Sequence, residues 1–177
     1  GSTRVWRSRN RGVSWQVASA NFGFDFFDQI NAIATHKAAP GLVVAATANG
    51  IYRNNAGYTS NSNSVWSSTK PRDGWVSSLS IDPSDARVLY ATYSNFGGAH
   101  VWRSTDAGLR FSAIDGNLPD LPVHNIVVDP TDSRKLYIGT DLGLFVSNDT
   151  GANWSVEQTG FDSAIVEKLV INTQAPY

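Results

Sequence analysis

A short frame, Ser-x-Asp/Asn-x-Gly-x-x-aromatic, occurs three times in this chain and constrains its architecture more than any other feature. It reads SRNRGVSW at 8–15, STDAGLRF at 104–111 and SNDTGANW at 147–154. The recurring residues are Ser8, Asn10, Gly12 and Trp15, then Ser104, Asp106, Gly108 and Phe111, then Ser147, Asp149, Gly151 and Trp154. An eroded copy lies at Arg53-Asn54-Asn55-Ala56-Gly57, where an insertion delays the aromatic to Trp66. Asp and Asn side chains bond their own backbone two residues on and pin a tight turn. Glycine two residues later accepts a positive φ. The aromatic then opens the return strand and is expected to pack over its own turn. Each box therefore reads as a self-locked hairpin corner, a structural element rather than a ligand site.

Each box closes a longer unit. Val123–Val128, Asp129-Pro130, Leu136–Thr140 and 144–147 lead into the third box. Val76–Ile81, Asp82-Pro83, 88–92 and Val101–Ser104 lead into the second. Asp82 recurs as Asp129, 47 residues on. Earlier runs lie at 30–35, 43–47 and 51–53, and a later one at 166–171. Apolar positions match across units: Ile30, Val76, Val123 and Val166, then Ile33, Leu79, Ile126 and Leu169. Short β-branched and aromatic runs bounded by Gly, Pro, Asn and Asp read as strands, and no stretch shows helical periodicity. Four short antiparallel strands per unit at this period predict an all-β chain, a β-propeller of four-stranded blades. Strands are lettered a to d from the centre outward, so each box is a c–d hairpin. The a strands are nearly continuous apolar runs, as in strands buried on both faces.

The 177 residues hold about four such blades. The expected parts of a single propeller segment are 1–18, 30–70, 75–114, 121–159 and 165–172, within a larger ring. Formal net charge is −1 with no basic stripe, so neither nucleic acid nor an anionic membrane surface is expected as a partner. The apolar runs are too short to span a bilayer. Cysteine is absent, which removes disulfides and thiolate sites. His36, His100 and His124 fall in different units and form no metal-ligand spacing. No metal and no cofactor is expected.

The phrase LYIGTDLGLFVSNDTGANW at 136–154 resembles the Asp-box (bacterial neuraminidase repeat) propellers, and the resemblance extends over nearly the whole chain. That group includes sialidases, xyloglucan-active glycoside hydrolases, sortilin-type receptors, a photosystem assembly factor and many exported bacterial repeat proteins. The resemblance implies a secreted or extracytoplasmic protein. Sialidase activity would need an arginine cluster and a Tyr–Glu pair, and the only glutamates are Glu157 and Glu167. Thr140-Asp141-Leu142-Gly143 resembles the Thr-Asp-x-Gly-Gly motif of xyloglucan-active relatives, whose Asp is a catalytic carboxylate. Here Leu144 replaces the second glycine, and the competing reading makes Asp141 a turn former.

Propeller topology places the a–b and c–d turns on one face and the d–a and b–c loops on the other. The second face should carry any ligand. It collects Asp25, Asp28, Asp73, Asp115, Asp120, Asp141 and Asp162, with Phe24, Phe96 and Phe161. A glycosidase needs two carboxyl groups flanking the scissile bond, and aromatic faces stack on sugar rings. Asp and Phe are also ordinary loop residues. The expectation is a non-catalytic scaffold or a protein- or glycan-binding module, partnered by further blades, another protein chain or a glycan. The alternative is part of a xyloglucanase-like glycoside hydrolase whose second acid lies elsewhere. An open set of blades leaves apolar sides exposed, so 1–18 are expected either to close onto 166–171 or to be covered by other polypeptide.

Overall fold

The computed structural model describes residues 3–23, 28–157 and 164–172, and among these there is no α-helix. The strands fall into one hairpin and three four-stranded sheets. β1 (Trp6–Arg7) pairs with β2 (Gln16–Val17). The first full sheet runs β3 (Ala32–His36), β4 (Ala39–Thr47), β5 (Gly50–Asn54), β6 (Ser67–Thr69). The second runs β7 (Val76–Ile81), β8 (Leu89–Tyr93), β9 (Val101–Ser104), β10 (Ser112–Ala113). The third runs β11 (Val123–Val128), β12 (Leu136–Thr140), β13 (Gly143–Ser147), β14 (Ser155–Val156). All neighbours are antiparallel, and the first strands β3, β7 and β11 lie against one another in turn. This is the a-to-d order of β-propeller blades.

The core sits between the sheets. Val123, Ile126 and Val128 of β11 and Leu136 and Ile138 of β12 pack on Tyr90 and Val101 of the preceding blade. Val76, Ile81, Leu89 and Ala91 pack in the same way on Leu42, Val44 and Ile51. Blades thus bury one another's faces, and each relies on its neighbour for its stability.

The three boxes share one wiring. Ser104 Oγ donates to Asp106 Oδ1 at 2.9 Å and accepts the Gly108 N–H at 2.8 Å. Ser147 Oγ makes the same two bonds to Asp149 and Gly151, both 2.8 Å, and Ser8 Oγ makes them to Asn10 and Gly12 at 3.0 and 2.7 Å. The Asp or Asn oxygen accepts main-chain N–H groups further on, from Leu109 and Arg110, from Asn153, and from Ser14. The two-residue Asp bond expected from sequence is therefore replaced by a division of labour: serine holds the glycine and the carboxylate holds the return strand. The residue before each glycine is left-handed too, with φ of 55° at Arg11, 59° at Ala107 and 61° at Thr150. In the second and third boxes its N–H is used: Ala107 donates to Arg87 O and Thr150 to Arg134 O, both 2.9 Å or shorter, clamping the box onto the start of strand b. In the eroded copy this clamp survives as Gly57 N–H to Gly41 O, and Asn54, in the serine place, accepts the Ala56 N–H at 2.7 Å. Ser147→Ala removes a fully buried hydroxyl and orphans the Gly151 N–H. It should cost about 1–3 kcal/mol, read as a lower urea midpoint at unchanged m-value.

The a–b turns on the same face repeat Asp-Pro-Ser/Thr-Asp-x-Arg. Buried Asp82 accepts Ser84 N–H and Oγ–H, and also Ser133 Oγ–H from the next blade at 2.9 Å. Asp85 and Asp132 each accept a two-armed Arg87 or Arg134 guanidinium. The Arg87 side chain and N–H hold the Asp85 carboxyl down at about 2. Arg134 lowers Asp132, Thr131 lowers Asp129, Arg110 N–H lowers Asp106 and Asn153 lowers Asp149. A depressed carboxyl contributes its full stability above its unfolded value and loses it as pH falls through the folded one. For Asp85 that window runs from its ordinary 3.8 down to about 2. The thermal midpoint should therefore fall steeply across this acid range, and less steeply in Asp85→Asn.

Other expectations are corrected. Trp154 reaches beyond its own hairpin. It is 5% exposed because it docks on the connection behind the preceding blade: its indole N–H donates to Ile114 O, and its main chain bonds the Asn117 amide twice. Trp15, at the same box position, is 59% exposed. Residues 166–171, expected as a strand, form no ladder. Val166 N–H bonds Thr140 O and Leu169 N–H bonds Asn125 Oδ1, so this segment lies along the third sheet rather than against residues 3–18. Gly139 makes that approach possible, since a Cβ there would stand 2.3 Å from Val166 O.

Candidate functional site

The loop face is built from b–c turns that differ in one instructive way. In the third blade, Thr140 Oγ1 donates to Gly143 O at 2.8 Å and accepts the Leu142 N–H at 3.1 Å. In the first full blade, Thr47 Oγ1 likewise accepts the Asn49 N–H at 3.0 Å, and Thr47 pairs with Gly50 as Thr140 pairs with Gly143. The residue after each threonine is Ala48 in one turn and Asp141 in the other. The first of these turns thus closes with alanine at the place of Asp141.

The Asp141 carboxylate instead meets His124, whose Nε2 lies 2.7 Å from Oδ1. His124 stands where β11 loses register between Val123 and Asn125, a bulge that turns its ring toward the rim of the b–c turn. Val123 pairs with Thr140, and in this antiparallel ladder Asp141 continues into the loop while His124 lies one step inside the strand, so it is the bulge that lets the His124 ring reach back to the carboxylate. Strand spacing in the sequence carries no signal for that bulge. Both side chains are partly open, His124 at 25% and Asp141 at 38%. A half-exposed carboxylate with one imidazole donor can still accept or deliver a proton to a ligand.

The remaining loop-face acids do local work. Asp115 accepts the His100 and Val101 N–H groups at 2.6 and 2.7 Å. Asp120 accepts the Gly97 N–H and buried His100 Nε2, both at 2.8 Å, and the Gly97 bond leads in holding its pKa down. Asp28 is buried and takes the Asn49 amide. Asp73 is exposed and paired with Lys70 at 2.6 Å, which lowers its pKa. Phe96 is 67% exposed at the tip of the 94–99 loop, whose base is tied by Arg72 to Ala99 O. Asp25, Phe24, Phe161 and Asp162 lie outside the described residues. Among those described, no group of three or more His, Asp or Glu side chains could hold a metal ion.

No protein-family model matches the chain. Over 102 aligned residues, covering 47% of this chain, it is 35% identical to a xyloglucanase from a Paenibacillus species, of whose length it spans 10%. Among solved structures, an ancestral GH74 enzyme superposes with a TM-score of 0.70 at 18% identity, over 89% of this chain and 22% of that one. YCF48 from Cyanidioschyzon merolae superposes with a TM-score of 0.64 at 12% identity, over 93% of this chain and 55% of that one. At these identities the structural likeness is one of β-propeller fold.

Proposed function

We propose that this chain is a segment of a secreted glycoside hydrolase propeller acting on xyloglucan or a related glucan, and that Asp141 is the catalytic carboxyl it contributes. The observation that supports this best is that the equivalent turn of the first full blade forms with Ala48 in this place, whereas Asp141 is held by His124 on the loop face. The Paenibacillus xyloglucanase similarity supplies the substrate class. The second acid required by two-carboxyl hydrolysis belongs to a part of the protein not described here. No helix among the described residues is long and apolar enough to cross a membrane.

A second reading, the scaffold or protein- or glycan-binding module expected from sequence, is favoured by the other loop-face acids. Asp115, Asp120, Asp28 and Asp73 are each engaged by a backbone or side-chain donor. Xyloglucan hydrolysis by the intact protein that carries this segment separates the two readings. Release of reducing sugar, abolished in Asp141→Asn, supports the hydrolase. Retained xyloglucan binding without hydrolysis supports the module.

A further inference from the structure

The b–c connection of the second full blade departs from its neighbours on the loop face. The closing pair Thr47–Gly50 encloses 48–49, and Thr140–Gly143 encloses 141–142. At the same step of the second blade's ladder Tyr93 N–H bonds His100 O, and the loop between them runs from 94 to 99. This insertion is held from several sides. Arg72 donates through Nη1 to Ala99 O at 2.8 Å and through Nη2 to Phe96 O at 3.4 Å, and its guanidinium stands 5.3 Å from the centre of the Tyr93 ring. Asp120 Oδ1 takes both the Gly97 N–H and buried His100 Nε2. Asn95 Oδ1 accepts the Trp75 N–H. Gly97 and Gly98 are both left-handed, with φ of 79° and 84°, a conformation that residues with a Cβ resist.

All this restraint presents Phe96 to solvent, 67% exposed. A ring so placed contributes little to folding, whereas a fixed loop that offers an aromatic is preorganised for a ligand. Asn95, the preceding residue, is also one wall of a cleft of about 450 Å³ between the first and second full blades, lined further by Asn49, Lys70, Asp73 and Trp75. The cleft carries no net charge, because Lys70 pairs with Asp73 at 2.6 Å. Its two amides are each half committed. Asn95 gives Oδ1 to Trp75 and keeps Nδ2 as a donor; Asn49 gives Nδ2 to Asp28 and keeps Oδ1 as an acceptor. A half-buried tryptophan, one amide donor, one amide acceptor and a neutral ion pair suit an uncharged ring with hydroxyls around its edge.

We propose that the 94–99 insertion and the cleft beside it form a pyranose-binding subsite, separate from Asp141, for one stretch of a xyloglucan-type chain. The C–H face of a sugar ring stacks on Phe96, and hydroxyls of the chain bond Asn49, Asn95 and the Lys70–Asp73 pair. Arg72, Asp120 and Asn95 are positioning residues: they fix the loop before the ligand arrives, so little ordering cost remains at binding. The subsite rests on the glucan class proposed above and not on hydrolysis, since it works equally in an enzyme and in a binding module.

The test uses the intact protein and soluble xyloglucan oligosaccharides. Phe96→Ala should weaken their binding by about tenfold or more in calorimetry while keeping the native thermal midpoint. Phe96→Trp should restore the affinity. Leu109→Ala, which truncates another exposed apolar side chain in a box on the opposite face, should leave it unchanged. Saturating oligosaccharide should slow deuterium exchange across 70–75 and 94–99. Where hydrolysis is measured, Phe96→Ala should raise KM with kcat within about twofold, the pattern of lost uniform binding. Native affinity in a folded Phe96→Ala, or unchanged exchange at 94–99, overturns the subsite and leaves the glucan class standing. A native protein that binds no xyloglucan overturns both. Protection of 94–99 by another protein and not by the oligosaccharide would assign the loop to a protein partner and also overturn the proposal. If Phe96→Ala does not fold, exchange in the native protein decides.

Discussion

Trp154→Ala should lower the unfolding free energy by about 3–5 kcal/mol, whereas Trp15→Ala, at the same position of an equivalent box, should lower it by about 1 kcal/mol or less. Trp154 is enclosed by the connection behind the preceding blade and gives its indole N–H to Ile114 O. Truncation leaves a cavity between blades, an unpaired carbonyl and a loosened Asn117 clamp. Trp15 keeps more than half of its surface in solvent, so its removal sacrifices little packing. Urea titrations of the two variants check this directly. Equal losses would mean that the aromatic acts within its own hairpin, as first expected, and not between blades.

The second large effect concerns Asp141. In the intact protein, Asp141→Asn should reduce xyloglucan hydrolysis by about 10²–10⁴-fold, the usual contribution of a positioned acid or base. Folding should be nearly untouched, because Thr140 closes the turn and Ala48 fills the same place in the first full blade. Asp141→Ala should therefore keep the native thermal midpoint while losing the activity. Paired measurement makes the result decisive: a rate loss with intact stability places Asp141 in the chemistry, and a stability loss returns it to the turn. His124→Ala should give a smaller rate loss, and His124→Gln, which keeps an N–H donor, should recover part of it.

Local rules carried the fold a long way. Val76–Ile81, Val101–Ser104, Val123–Val128 and Leu136–Thr140 were read with their observed ends. Their runs stop at Asp-Pro, at a box or, for Leu136–Thr140, at the Asp141-Leu142-Gly143 turn, and those stops are chemical. The box serine, acid and glycine were legible for the same reason. The left-handed residue before each glycine was not, since Arg11, Ala107 and Thr150 share no side-chain signature. Two of them make a main-chain bond that exists only once strand b lies alongside, Ala107 N–H to Arg87 O and Thr150 N–H to Arg134 O.

For the candidate site the sequence supplied Asp141 and its motif, but it could not choose between turn and chemistry. Two facts of tertiary structure bear on that choice: Thr140 closes the turn, and a bulge in β11 brings His124 to the carboxylate. Loop-face acids that looked equivalent in sequence separated for the same reason, because Asp115 and Asp120 are consumed by N–H groups that the folded loops bring to them. What the sequence by itself determined about this protein is its periodic content: the blade, its strands and its corners. Those depend on interactions within a few residues of each other. Only the tertiary structure decided which copy of a motif is buried and which group engages each loop-face acid, because those depend on what the fold places against each copy.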